Sequence, residues 1–187
     1  MHFHGVNRTN GDTGGVGMNI SPGFTLCFLL HGDEVLMLHR RFPPNQGLWN
    51  GVGGHLEPGE SPLAGILREV REETGFNLPA ARFAGVLTWQ GFEIDDGGLY
   101  IFTAEAPDGE PLRCSEGEIA WKPRDWVFTS PQVVSNIHRF APLALNGAPP
   151  QRYHFVYRAG RIQSYQVYPL PEGINGAQPE LFDGKEN

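Results

Sequence analysis

Apolar positions fall into short blocks separated by Gly, Asn, Asp and Pro, a rhythm that predicts strands and tight turns more than long helices. Residues 24–30 are bulky, apolar or β-branched, His31-Gly32-Asp33-Glu34 reads as a turn, and residues 35–40 return as the second strand of a hairpin. A loop with Pro43, Pro44, Asn45 and Gly47 leads into residues 48–52. Residues 82–93 and 99–105 predict two strands across Asp95-Asp96-Gly97-Gly98, and residues 118–122 a short third. Residues 136–145 predict a helix interrupted by Pro142, and residues 153–157 and 161–168 a closing hairpin around Ala159-Gly160. The order is mixed α+β, with many strands and two helices.

The strongest helix prediction is residues 61–74. Ser61 suits the N-cap, Pro62 the first helical position, and Gly75 the left-handed residue that ends a helix. Leu63, Leu67, Val70 and Thr74 form one apolar stripe at about 100° per residue, while Glu69, Glu72 and Glu73 share another face with Gly65. Three carboxylates at i, i+3 and i+4 repel one another, and Arg68 and Arg71 only partly offset this. Alone, such a cluster is an ordinary solvated acidic face. Its alternative is a site for hard divalent cations, which prefer carboxylate oxygens. The preceding segment favours the second. Gly51-Val52-Gly53-Gly54 puts three glycines where backbone must approach something closely, and Glu57-Pro58-Gly59-Glu60 turns into the helix cap.

Composition narrows the rest. The 187 residues suffice for one domain with a full core, and 40% hydrophobic with 19% charged residues is globular. A net charge of −7 disfavours a duplex nucleic-acid surface, though cations can bridge an acidic protein to phosphates. Cys27 reads as a small buried hydrophobe, and with Cys114 it matches no zinc or disulfide pattern. No apolar stretch suits a membrane span or signal peptide, so a soluble cytoplasmic protein, monomer or homodimer, is expected. Residues 1–22 read as a flexible arm, with Met18 an alternative start and His2 and His4 stray side chains. Residues 23–168 read as the ordered domain, and residues 169–187 as a loose tail.

From Gly54 the chain runs through five residues to Glu60 and seven more to Arg68-Glu69-Val70-Arg71-Glu72-Glu73-Thr74-Gly75-Phe76. This resembles the complete box of the Nudix hydrolases, G-x5-E-x7-R-E-U-x-E-E-x-G-U, with no departure. The resemblance implies an α/β/α sandwich of the α+β class, a mixed sheet flanked by helices, here with an extra C-terminal hairpin. It implies magnesium, replaceable by manganese, held by Glu69, Glu72, Glu73 and the Gly53 carbonyl, with Glu60 and Arg68 paired to hold loop against helix. A later-loop acid is common in the family; Glu116 and Glu118 are the candidates, and Glu116 has the more familiar context. The implied reaction is hydrolysis of a phosphoanhydride, with Glu72 or the later acid taking the proton of water, and Arg40 or Arg41 holding charge on the leaving phosphate.

The substrate must be read from outside the box. Trp49-Asn50-Gly51-Val52-Gly53-Gly54 resembles the segment found in the MutT-like branch, which cleaves oxidised purine nucleoside triphosphates such as 8-oxo-dGTP to the monophosphate and pyrophosphate. There Asn50 faces the base, Asn136 resembles the later residue that reads the purine edge, and Gly54 and His55 adjoin the phosphates. His55 stands where that branch often has Lys. Trp49, Phe42 and Phe140 are stacking candidates. The alternatives are hydrolysis of ADP-ribose, a dinucleoside polyphosphate or another nucleoside diphosphate derivative, or a silent nucleotide-binding module.

Overall fold

A computed structural model describes residues 20–179; the expectations for Met18, His2 and His4 lie outside the described residues. The elements are β1 (Phe24–His31), β2 (Glu34–Arg40), β3 (Trp49–Asn50), α1 (Pro62–Thr74), β4 (Arg82–Gln90), β5 (Gly97–Glu105), β6 (Gly117–Pro123), α2 (Arg124–Thr129), α3 (Ile137–Leu145), β7 (Gln151–Arg158) and β8 (Arg161–Pro169). All strands join one mixed sheet in the order β3-β2-β1-β5-β4-β7-β8, with β6 along the other edge of β2. β1 pairs with β5 and β4 with β7 in parallel; the other pairings are antiparallel.

Why β1 is apolar throughout is now plain: both its faces are covered. Leu26, Phe28 and Leu30 pack into one core with Val127, Ile137, Phe140 and Ala144 of α2 and α3. Cys27 and Leu29 point the other way, to Ile66 and Val70 of α1. The arrangement is the expected sandwich, with α1 on one face and α2 and α3 on the other. Burial of Cys27 pushes its thiol pKa up, so it packs as an inert hydrophobe.

Several details differ from expectation. The short helix α2 carried no cap signal in the sequence and has no side-chain cap in the structure. The buried residue at the centre of the α1 stripe is Ile66, and Leu67 is only half-buried, so the helix is rotated by part of a turn from the predicted phase. At the N-terminal boundary Ile20 is already buried, so the expected arm ends before it. The expected loose tail is corrected for residues 170–176. Leu170 and Ile174 join the α1-side core, and the Leu63 amide donates to the Gly176 carbonyl at 3.1 Å. A Cβ on Gly176 would meet Phe83 at 2.9 Å, so its lack of a side chain permits this docking. Among the described residues no helix is long and apolar enough to cross a membrane.

Candidate active site

Residues 51–54 run as a wedge between the diverging ends of β1 and β2. The Cys27 amide donates to Val52 O at 2.7 Å and the Thr25 amide to Gly54 O at 2.8 Å, while Leu38 pairs with Asn50 on the other side. This confinement explains the glycines. On Gly53, at φ 149°, a Cβ would collide with the Thr25 carbonyl; on Gly54 it would lie 2.6 Å from the Glu69 carboxylate. The loop is thereby pressed against the acidic face of α1.

That face is organised by Arg68. Its Nε and Nη2 grip the two oxygens of Glu60 at 3.0 and 2.9 Å, a bidentate fork. Nη2 also donates to the His55 carbonyl at 2.9 Å, and Nη1 to Glu69 at 2.8 Å and Glu72 at 3.3 Å. One guanidinium therefore ties the turn, the glycine loop and the helix together. The hydrogen bonds to Arg68 hold the Glu60 pKa below its ordinary value and raise that of Arg68. Helix α1 is delimited as its sequence predicts: Ser61 Oγ accepts from the Ala64 amide, and Gly75 takes φ 76°.

The remaining acids are crowded. Glu73 is buried, accepts from the Gly53 amide at 2.9 Å, and has its pKa pushed up to about 8 by burial, with Glu116 and Glu69 adding repulsion. Burial also raises Glu69, against the pull of Arg68. Glu116, just ahead of β6, faces Arg40 at 3.8 Å. Among the described residues no three acidic, His or Cys side chains converge as a ready-made metal cage: Glu69 and Glu72 turn onto Arg68, and Glu73 onto Gly53. The donors are nonetheless all oxygen, and burial raises the pKa of two of them, Glu69 and Glu73, a penalty that a nearby cation would offset. That chemistry fits a hard divalent cation.

Beside these acids lies a cavity of about 340 Å³. Arg40, Asn50, Gly53, Gly54, His55, Glu69, Glu116 and Asn136 all line it. Glu72 does not line it and is exposed, and Glu73 lies buried outside the lining. Arg41 turns away to the Ser115 carbonyl, and Glu118 is exposed on β6 opposite His39. Of the three stacking candidates Phe42 and Phe140 reach the cavity, whereas Trp49 is packed away between His39 and Lys122. Trp49 lies instead against α2, its ring 6.0 Å from that of Trp126. Sequence reasoning missed Phe24, Trp89 and Phe92 as lining residues, and left the role of Tyr157 open. The Phe24 ring lies 4.2 Å from His55 and 5.7 Å from Trp89, and Phe92 packs 4.7 Å from Tyr157.

The NUDIX domain family model matches residues 22–144. The Nudix hydrolase YvcI of Bacillus subtilis is 35% identical over 105 residues, 52% of this chain and 63% of the relative's length. An oxidized purine nucleoside triphosphate hydrolase of Mus musculus is 28% identical over 113 residues, 59% of this chain and 71% of that protein. Among solved structures, the MutT protein of Bacillus halodurans superposes with a TM-score of 0.68 at 28% identity, covering 81% of this chain and all of that one. With the matched region spanning the glycine loop, the acidic helix and every cavity-lining residue but Tyr157, the chain belongs to the Nudix family.

Proposed function

We propose that this chain hydrolyses nucleoside triphosphates at an internal phosphoanhydride bond, acting on an oxidised purine nucleotide such as 8-oxo-dGTP to give the monophosphate and pyrophosphate. The observation that carries the reading is the composition of this cavity. It joins phosphate-side groups, Arg40 with Glu69 and Glu116, to a base-sized wall of Trp89, Phe92 and Phe140 bearing two amides, Asn50 and Asn136. The likeness to the mouse hydrolase supports it.

Magnesium or manganese ions, held by Glu69, Glu72, Glu73, Glu116 and the Gly53 carbonyl, would supply counter-charge to the phosphates and make water more acidic. The chain's own residues do the rest. Arg40, anchored through its Nε to the Pro44 carbonyl at 2.7 Å, offers its remaining N–H groups to phosphate oxygens. Water adds to phosphorus as the anhydride P–O bond breaks; Glu116, in the cavity beside Arg40, takes the proton, with Glu72 as the alternative acceptor. Arg68 keeps Glu69 and Glu72 in place. The aromatic wall excludes water and stacks on the base, and the two asparagines orient it.

A panel of nucleotides with magnesium, scored for the phosphates released, tests this. Pyrophosphate from 8-oxo-dGTP is the expected result. AMP from ADP-ribose, with no pyrophosphate from any triphosphate, would overturn the substrate while leaving the bond type.

A further inference from the structure

We propose that Tyr157 is a positioning residue that holds the Asn136 amide in the cavity, so that the amide meets the base edge and the cavity discriminates between purines. This rests on the nucleotide reading above.

Asn136 stands at the N-cap of α3, a position where its side chain ordinarily accepts from the first-turn amides. It makes no such bond. Its Nδ2 instead donates to the Tyr157 hydroxyl at 3.0 Å, and both residues line the cavity. A helix-capping side chain has been diverted into the site. Tyr157 is itself immobilised: it is 6% exposed, with Phe92 at 4.7 Å and Phe155 at 6.3 Å.

An amide has one face that accepts and one that donates, and rotating it by 180° exchanges them. In this structure Nδ2 donates to Tyr157, which leaves Oδ1 for a ligand. Asn50 is set the other way round. Its Oδ1 accepts from the Gly51 amide at 3.0 Å, which leaves Nδ2 to donate. The cavity thus offers one acceptor and one donor, a pattern that guanine and adenine edges match differently. Tyr157 lies beyond residue 144, where the family match ends, so the reading amides belong to the matched segment while the group that positions Asn136 comes from the C-terminal hairpin.

The test is metal-free binding of GMP and AMP, followed by tryptophan fluorescence, because Trp89 lines the cavity. The wild type is expected to prefer one purine by about five- to tenfold, the scale of one well-placed hydrogen bond. Tyr157→Phe, which keeps the ring and removes the hydroxyl, is expected to bring that ratio to within about twofold while thermal unfolding stays cooperative. Asn136→Asp offers only acceptors and is expected to keep the wild-type order. The proposal is overturned if the wild type binds both purines equally, if Tyr157→Phe keeps the full ratio, or if Asn136→Asp reverses it. If the wild type binds neither nucleotide, the nucleotide reading falls and takes this proposal with it; the other outcomes leave that reading standing.

Discussion

Arg68 presents a rigid plane of N–H donors, and Glu60, Glu69, Glu72 and the His55 carbonyl use them together. Lysine has the charge but not the fork, so it cannot span these acceptors. Arg68→Lys is therefore expected to cost about 1–3 kcal/mol of stability, the scale of unmade hydrogen bonds between charged groups. Urea unfolding measures this, and a loss near zero would show that the turn holds without the fork. Gly53→Ala is expected to be worse, because the clash is with the Thr25 carbonyl, which belongs to a central strand and cannot swing aside. Hydrolysis should fall with stability in that variant, and an alanine enzyme of wild-type activity and melting temperature would contradict the wedge. Residues such as these were legible in the sequence because their signals are local. Ser61 and Gly75 mark one helix, and Glu60 and Arg68 meet across a single turn and two helical turns. Trp49 and Trp89 were not distinguishable on such grounds. Which tryptophan faces the cavity depends on sheet order, and no short-range pattern encodes that.

At the scale of the element, α1 carries a conflict: the packing that buries its apolar stripe also buries acids. Ile66 is fully buried at the centre of that stripe, so Ile66→Ala is expected to destabilise the protein by about 2–5 kcal/mol. The acids make the cost of folding depend on pH. Glu73 titrates at about 8 in the folded chain against an ordinary 4.5. Between those values the folded state holds a proton that the unfolded state has released, so stability falls as pH rises through this window and levels off above it. Burial of Glu69 acts in the same direction. Glu60, whose pKa is lowered, acts oppositely, and its contribution is lost only as pH falls below the ordinary carboxylate range. Melting temperatures taken in EDTA should therefore drop from about pH 5 to pH 8, and Glu73→Gln should flatten that slope. If Glu73 holds magnesium as proposed, the ion should raise the melting temperature more at pH 8 than at pH 6, because it would bind the ionised form. A slope that Glu73→Gln leaves unchanged would mean the carboxylate is not the group responsible.

Over the whole molecule, the family match and the folded unit do not coincide. The match stops at residue 144, yet β7 pairs in parallel with β4, setting Phe155 beside Trp89. Tyr153, Phe155 and Tyr157 all enter the core that α2 and α3 cover. Strand alternation explains the choice: these three share one face of β7, while His154 and Val156, which point the other way, are only half-buried. Removing a buried aromatic side chain costs about 3–5 kcal/mol, so losing three approaches the whole stability of an ordinary domain, about 5–15 kcal/mol. The same strand completes the cavity through Tyr157, which ties the site to the integrity of the sheet edge. A chain ending at residue 149 is therefore expected to lose cooperative thermal unfolding and near-ultraviolet circular dichroism, although it retains the entire family-matched segment. A truncated chain that melts cooperatively and still cleaves nucleotides would show that the hairpin is an appendage to a self-sufficient domain.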